Sequence, residues 1–212
     1  MPASASLSAV LAGFGLGASL IVAIGAQNLF VLRQGLARRH VLPVVCFCAG
    51  ADILLMAAGI AGIGAVLRAL PGLVAVLTAG GGLFLLVYGA RALRRAARTD
   101  ALVARDAGPD RGLARTLAQA AAFTLLNPHV YLDTVLLIGS VAAARAPGHG
   151  GSFLLGSGTA SMVWFALLGF GARLLAPLFA RPRAWQVLDA IIGVVMLALS
   201  ASLWWRLLEG RG

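Results

Sequence analysis

The sequence predicts an all-α integral membrane protein: six transmembrane helices forming two inverted three-helix repeats, with helices 1 and 4 interrupted near the midplane. Three observations carry this reading. Of the 212 residues 60% are hydrophobic and 11% charged, with a mean hydropathy of +0.94. The apolar residues gather into six long blocks, and two of those blocks contain a polar interruption. A soluble domain of this length would carry far more charge.

The blocks run roughly over 7–32, 41–67, 72–93, 116–143, 152–176 and 185–207. Each is long enough to cross a hydrocarbon core of about 30 Å at about 1.5 Å per residue. The first begins near Leu7 without a basic flank and outruns a signal peptide, so it reads as a retained span. Gly25-Ala26-Gln27-Asn28 interrupts it. The second block holds Cys46, Cys48 and Asp52, the acid preceded by the small residues Ala49-Gly50-Ala51. A C-x-C pair with no second pair and no histidine cluster reads as small buried hydrophobes rather than as a zinc or disulfide site. The third block contains Gly80-Gly81-Gly82, a face on which another helix can approach closely.

The one long connection, about 94–115, is arginine-rich and contains Asp100, Asp106 and Gly108-Pro109-Asp110. As a cytoplasmic linker it divides a single transporter-type membrane domain over 1–212 into repeat 1 (about 7–93) and repeat 2 (about 116–207). The fourth block carries Asn127-Pro128 inside Thr124-Leu125-Leu126-Asn127-Pro128-His129-Val130-Tyr131-Leu132-Asp133. Proline removes a backbone donor and clashes with the preceding turn, so a helix carrying it is kinked or broken there. In lipid the freed groups cost several kcal/mol each unless protein or a wet cavity satisfies them. The fifth block carries the small-residue run Gly156-Ser157-Gly158-Thr159-Ala160-Ser161 and then Trp164. The sixth has Asp189 about one turn in, where an acid is ordinary, and ends on Trp204 and Trp205, which fit an interfacial belt.

Charge sets the orientation. The formal net charge is +10, carried by arginine alone because lysine is absent. The arginines lie in loops without interleaved aromatics, which argues against nucleic-acid binding and for a positive-inside topology. When the loops are assigned alternately to the two faces, thirteen arginines fall on one face and four on the other. The bias places both termini outside the cytoplasm. Because three spans is an odd number, a two-fold repeat must be inverted in the membrane.

Both interruptions then fall roughly 13–17 Å from the inner surface at about 1.5 Å per residue. Asn28 and Asn127 are placed to cap the half-helices that follow, with Pro128 at the first helical position where its missing N–H costs nothing. Two facing half-helix N-termini would favour an anionic group such as a carboxylate. Paired broken helices of this kind point to a transporter's binding site. Acids inside spans are costly, and Asp52 and Asp133 can pair with a cation, take up protons, or do both. His129 is a proton-relay or interhelical hydrogen-bond candidate. Tyr131 lies between the break and Asp133, and Trp164 can stack on a guanidinium or simply pack.

Gly25-Ala26-Gln27-Asn28-Leu29-Phe30-Val31-Leu32-Arg33-Gln34-Gly35, Asp52 and Asn127-Pro128-His129-Val130-Tyr131-Leu132-Asp133-Thr134 closely resemble the lysine/arginine exporter (LysE/ArgO) family. The likeness continues through Trp164 and Gly171-Ala172-Arg173 to the last span. The resemblance implies export of L-arginine or L-lysine across the bacterial inner membrane, with protons as the driving partner and no cofactor, metal or catalytic residue. It suggests a substrate site of Gln27, Asn28, Asp52, Asn127, Pro128, Tyr131, Asp133 and Trp164, with Asp52, Asp133 and His129 as proton-coupling candidates. Neutral amino acids or another small solute are the alternative cargo, and a passive channel is a lesser one. A thiol–disulfide carrier needs cysteines in opposite halves, which Cys46 and Cys48 are not. The choice of arginine over lysine and assembly into a homo-oligomer stay open.

Overall fold

A computed structural model of the protein describes residues 2–22, 25–63, 71–97, 112–175 and 177–209, and among these every regular element is a helix. The Gly108-Pro109-Asp110 hinge, together with Arg68, Arg98, Arg105, Arg111 and Arg211, lies outside the described residues. The chain runs α1 (Pro2–Ile21), α2 (Ala26–Ala37), α3 (Val41–Ile60), α4 (Pro71–Ala96), α5 (Leu113–Leu125), α6 (Pro128–Arg145), α7 (Gly150–Gly171) and α8 (Pro182–Leu208). Five helices are long and apolar enough to cross a membrane, and α5 with α6, bent by 61° at their break, supply a sixth span if taken together.

Both expected interruptions are present, one between α1 and α2 and one between α5 and α6. Helix α1 reaches back to Pro2 and α2 runs on to Ala37, beyond both ends of the first apolar block, and α3 stops at Ile60 rather than near residue 67. Glycine explains how the helices pack, because a missing Cβ lets backbones touch. Gly13 lies against the backbone of Phe153, Gly17 against Ser157 and Gly35 against Gly169, so the first span and α7 run side by side in one direction. Gly156 answers from α7 by seating the carbonyl of Val10. Gly82 meets Trp204 and Gly89 meets Met196, which makes α4 and α8 antiparallel. Gly59 of α3 packs on Val135 and Gly139 of α6.

Two buried clusters result. The larger gathers Phe30, Val44, Cys48, Phe123, Phe165, Ile192 and Met196, and the smaller Ala9, Met56, Ile138, Ala142 and Phe153. The cysteines differ from the sequence reading: Cys48 is buried but Cys46 is exposed, both thiols being free.

Candidate functional site

The two breaks meet one cavity of about 310 Å³. Gly25, Ala26, Gln27 and Asn28 line it from the first break, and Asn127, His129, Val130, Asp133 and Thr134 from the second. Asp52 of α3, Leu85 of α4, Phe165 of α7 and Leu199 and Leu203 of α8 complete much of the wall. Its size is that of a small-molecule site.

The second break is capped as its sequence dictates. The residue before proline is pushed out of the helical region, and Asn127 sits at φ −96°, ψ 108°. Its side-chain oxygen accepts from the backbone N–H of His129 at 3.1 Å, with Pro128 opening the helix. Behind the break, Tyr131 Oη donates to the carbonyl of Leu125 at 2.8 Å. Thr134 Oγ1 draws on the carbonyl of Val130 at 2.6 Å. Over Tyr131–Leu137 the helix widens, so that the N–H of Ile138 reaches the carbonyl of Asp133 five residues back. Such widened turns frequently occur at functional sites, and this one carries Asp133 to the cavity.

The first break is built differently, which corrects the expectation for Asn28. Gly25, extended at φ −126°, ψ 171°, is the N-cap of α2 and, being glycine, brings no side chain to the cap. Helix α2 therefore begins before Asn28, whose Nδ2 points backward and donates to the Ile21 carbonyl at 2.7 Å. The Asn28 amide thus satisfies the end of α1, and the N-cap of α2 is Gly25.

Asp52 is 4% exposed and accepts from Ser161 Oγ at 3.1 Å, a bond from α3 to α7. Gln27 is 8% exposed, and its buried Nε2 lies beside the Asp52 carboxylate without completing a hydrogen bond of good geometry. An unpaired buried donor costs about 1–3 kcal/mol, so a ligand oxygen there would recover that cost. Among the described residues no arginine lines the cavity, while two carboxylates do.

Of the residues singled out in the sequence, Gln27, Asn28, Asp52, Asn127, His129 and Asp133 share the cavity wall, whereas Pro128, Tyr131 and Trp164 do not. Pro128 and Tyr131 shape the break. Trp164 packs beside the large cluster with its Nε1 buried and unpaired, and its neighbour Phe165 faces the cavity instead. Ser161, Thr134 and Phe165 were missed. Small-residue packing was the only signal around Ser161, and a hydroxyl one helix away from an acid leaves no periodic trace.

Asp189 is also more than an ordinary first-turn acid. It is 4% exposed and held by two guanidinium forks. Arg33 Nε reaches Oδ1 at 3.1 Å and Arg33 Nη2 reaches Oδ2 at 3.4 Å. Arg95 Nε reaches Oδ2 at 3.1 Å and Arg95 Nη2 reaches Oδ1 at 2.9 Å. This cluster brings the second half of α2, the last turn of α4 and the first turns of α8 to one face.

Long apolar helices around a small-molecule cavity with buried polar groups, into which two helix breaks open, have the build of a multi-pass membrane transporter. Comparison with known proteins gives the family. Residues 18–206 match the sequence profile of the LysE type translocator, and the chain belongs to that family. A protein of Mycobacterium bovis, provisionally named an amino-acid transporter, is 45% identical over 182 residues, covering 86% of this chain and 90% of the relative. A Mycobacterium tuberculosis protein with the same provisional name matches equally, at 45% over 182 residues. YggA of Aeromonas salmonicida, likewise provisionally named, is 42% identical over 193 residues, covering 91% and 94%. No solved structure matches the chain.

Proposed function

We propose that this amino-acid transporter exports basic amino acids, L-arginine or L-lysine or both, from the bacterial cytoplasm in exchange for protons. The observation that carries the reading is the charge of the cavity wall: Asp52 and Asp133 line it and, among the described residues, no arginine does. A wall with two carboxylates and no arginine of its own suits a cationic side chain. The substrate carboxylate has a partner in the buried Gln27 amide and in the first turn of α2, whose N-cap is a glycine. Asp52 or Asp133 exchanges the cation for a proton, with His129 beside them on the wall. Counter-transport is reasonable on electrical grounds, since expelling a cation against an inside-negative potential costs about 2.3 kcal/mol per charge per 100 mV.

In this reading the chain is one domain of two inverted repeats in the inner membrane, both termini outside. Two packing relations support that symmetry. The first span packs on α7 and the fourth on α3, a relation that exchanging the halves preserves; α4 with α8 and α3 with α7 are antiparallel pairs that map onto themselves. The gathering of Arg33, Arg95 and Asp189 on one face agrees with the alternating loop assignment.

The test is purified protein in liposomes with labelled L-arginine and an imposed pH gradient. Uphill arginine movement that lysine competes and leucine does not, falling at least ~100-fold in Asp52→Asn (about 2.8 kcal/mol at tenfold per 1.4), is the expected result. Full-rate flux in Asp52→Asn removes that residue's role. Leucine transport without arginine transport moves the assignment to neutral substrates, for which the apolar wall of Leu20, Met56, Leu85 and Leu199 would serve.

A further inference from the structure

The three helical segments that carry Arg33, Arg95 and Asp189 also wall the cavity. On α2 the step from Gln27 to Arg33 is six residues, about 9 Å; on α4 from Leu85 to Arg95, and on α8 from Leu199 to Asp189, it is ten residues, about 15 Å. In each helix a bulky buried residue lies between: Phe30 on α2, Tyr88 on α4, Met196 and Ile192 on α8. Phe123 of α5 closes the layer. Its ring centroid is 5.0 Å from Phe30, 4.8 Å from Phe84 and 4.9 Å from Tyr88. Arg95 stacks over the Tyr88 ring at 5.8 Å, joining the aromatic layer to the ion cluster.

Each link of Phe123 and of Asp189 crosses the molecule. Phe30, Phe84, Tyr88, Arg33 and Arg95 belong to the first three spans, and Phe123 and Asp189 to the last three. We propose that this two-layer assembly, the Phe123 aromatic packing backed by the Arg33–Asp189–Arg95 cluster, is the gate that closes the cavity toward the arginine-rich face. The structure holds that gate shut. Opening it separates the first three spans from the last three, breaks both guanidinium forks on Asp189 and withdraws Phe123 from its ring partners. The physical logic is that buried forked pairs are strongly directional and fail together, which gives a two-state closure rather than a gradual one. The proposal rests on the reading of the cavity as a transporter's substrate site, and not on which amino acid is carried.

The experiment reads access to the cavity directly. Leu85→Cys places a thiol in the cavity wall; Cys46→Ser removes the exposed thiol, and Cys48 is buried. An impermeant maleimide is applied to oriented vesicles from each face. With Asp189 intact, labelling from the arginine-rich face is slow. In Asp189→Asn it rises about tenfold, the effect of about 1.4 kcal/mol on the open population. Asp189→Glu restores slow labelling. Because Asp189→Asn leaves two guanidiniums uncompensated, Arg33→Lys with Arg95→Lys supplies a second variant. It keeps the charge, loses the forks and shows a smaller rise in the same direction. Unchanged labelling from that face in a monodisperse variant, still labelled normally from the opposite face, overturns the gate and leaves the cluster a static staple. Failure of arginine flux in the parent protein would overturn the substrate reading while leaving this result standing.

Discussion

The two helix breaks face the same cavity but solve the same problem in opposite ways. Any break strands carbonyls behind it and N–H groups ahead of it. At the second break side chains serve both directions: Asn127 accepts from His129 ahead, and Tyr131 donates to Leu125 behind. At the first break Asn28 donates to the carbonyl behind, and Gly25 begins α2 without a side chain of its own to cap it. One break is capped by a side chain at its start; the other starts from a bare glycine on the cavity wall, beside the buried Gln27 amide. The difference teaches that an interruption in the sequence does not say which end of it is reserved for a ligand.

That contrast is open to attack by mutation, beginning with the support of the second break. Gly81 of α4 sits directly on the carbonyl of Leu126, so a side chain there meets backbone that cannot give way. Gly81→Val is expected to abolish the folded protein. Gly80→Ala serves as a control, because its Cβ would meet only the Leu126 Cδ2 methyl at 3.9 Å. Equal yields of the two variants after detergent extraction would show that the second break does not lean on α4.

A smaller effect separates the two asparagines. Asn28→Ala strands the Ile21 carbonyl and should cost about 1–3 kcal/mol, while Asn127→Ala loses an N-cap worth about 1 kcal/mol. Melting temperatures in one detergent should therefore fall more for Asn28→Ala. The reverse order would mean that the forward cap, not the backward bond, holds these breaks. The smallest effect is expected for Tyr131→Phe, which removes a bond on the exposed side and should cost about 0.5–1.5 kcal/mol. Its transport rate should stay near that of the parent, because Tyr131 does not line the cavity. A loss of flux with an unchanged melting temperature would put the phenol back into the site.

Membrane class, number of apolar blocks, position of both breaks and most of the polar cavity wall were legible in the sequence. Apolar length and proline chemistry are local properties, and intramembrane acids stand out against an apolar background. Asn127 could be read as a cap because Pro128 fixes the first helical position beside it. Asn28 could not, because glycine can start a helix without announcing where, and the helix began three residues earlier than the asparagine suggested. Tyr131 entered the expected site from its place between the break and Asp133, and Trp164 from its depth and its capacity to stack on a guanidinium. The widened turn over Tyr131–Leu137 carries Asp133 to the cavity, and the packing of α7 puts Phe165 on its wall.

Asp189 marks the boundary between the two kinds of information. By itself it is an acid near a helix start, and nothing local distinguishes it from an ordinary one. Its partners lie 156 and 94 residues away in the chain. The sequence alone determined what had to be buried in lipid, where a helix had to break, and which charged groups were too costly to sit inside without a purpose. Only the tertiary structure decided which of those groups meet, because hydrogen bonds and ion pairs between helices depend on packing angle and depth, and close packing at glycines such as Gly59, Gly81 and Gly156 sets both.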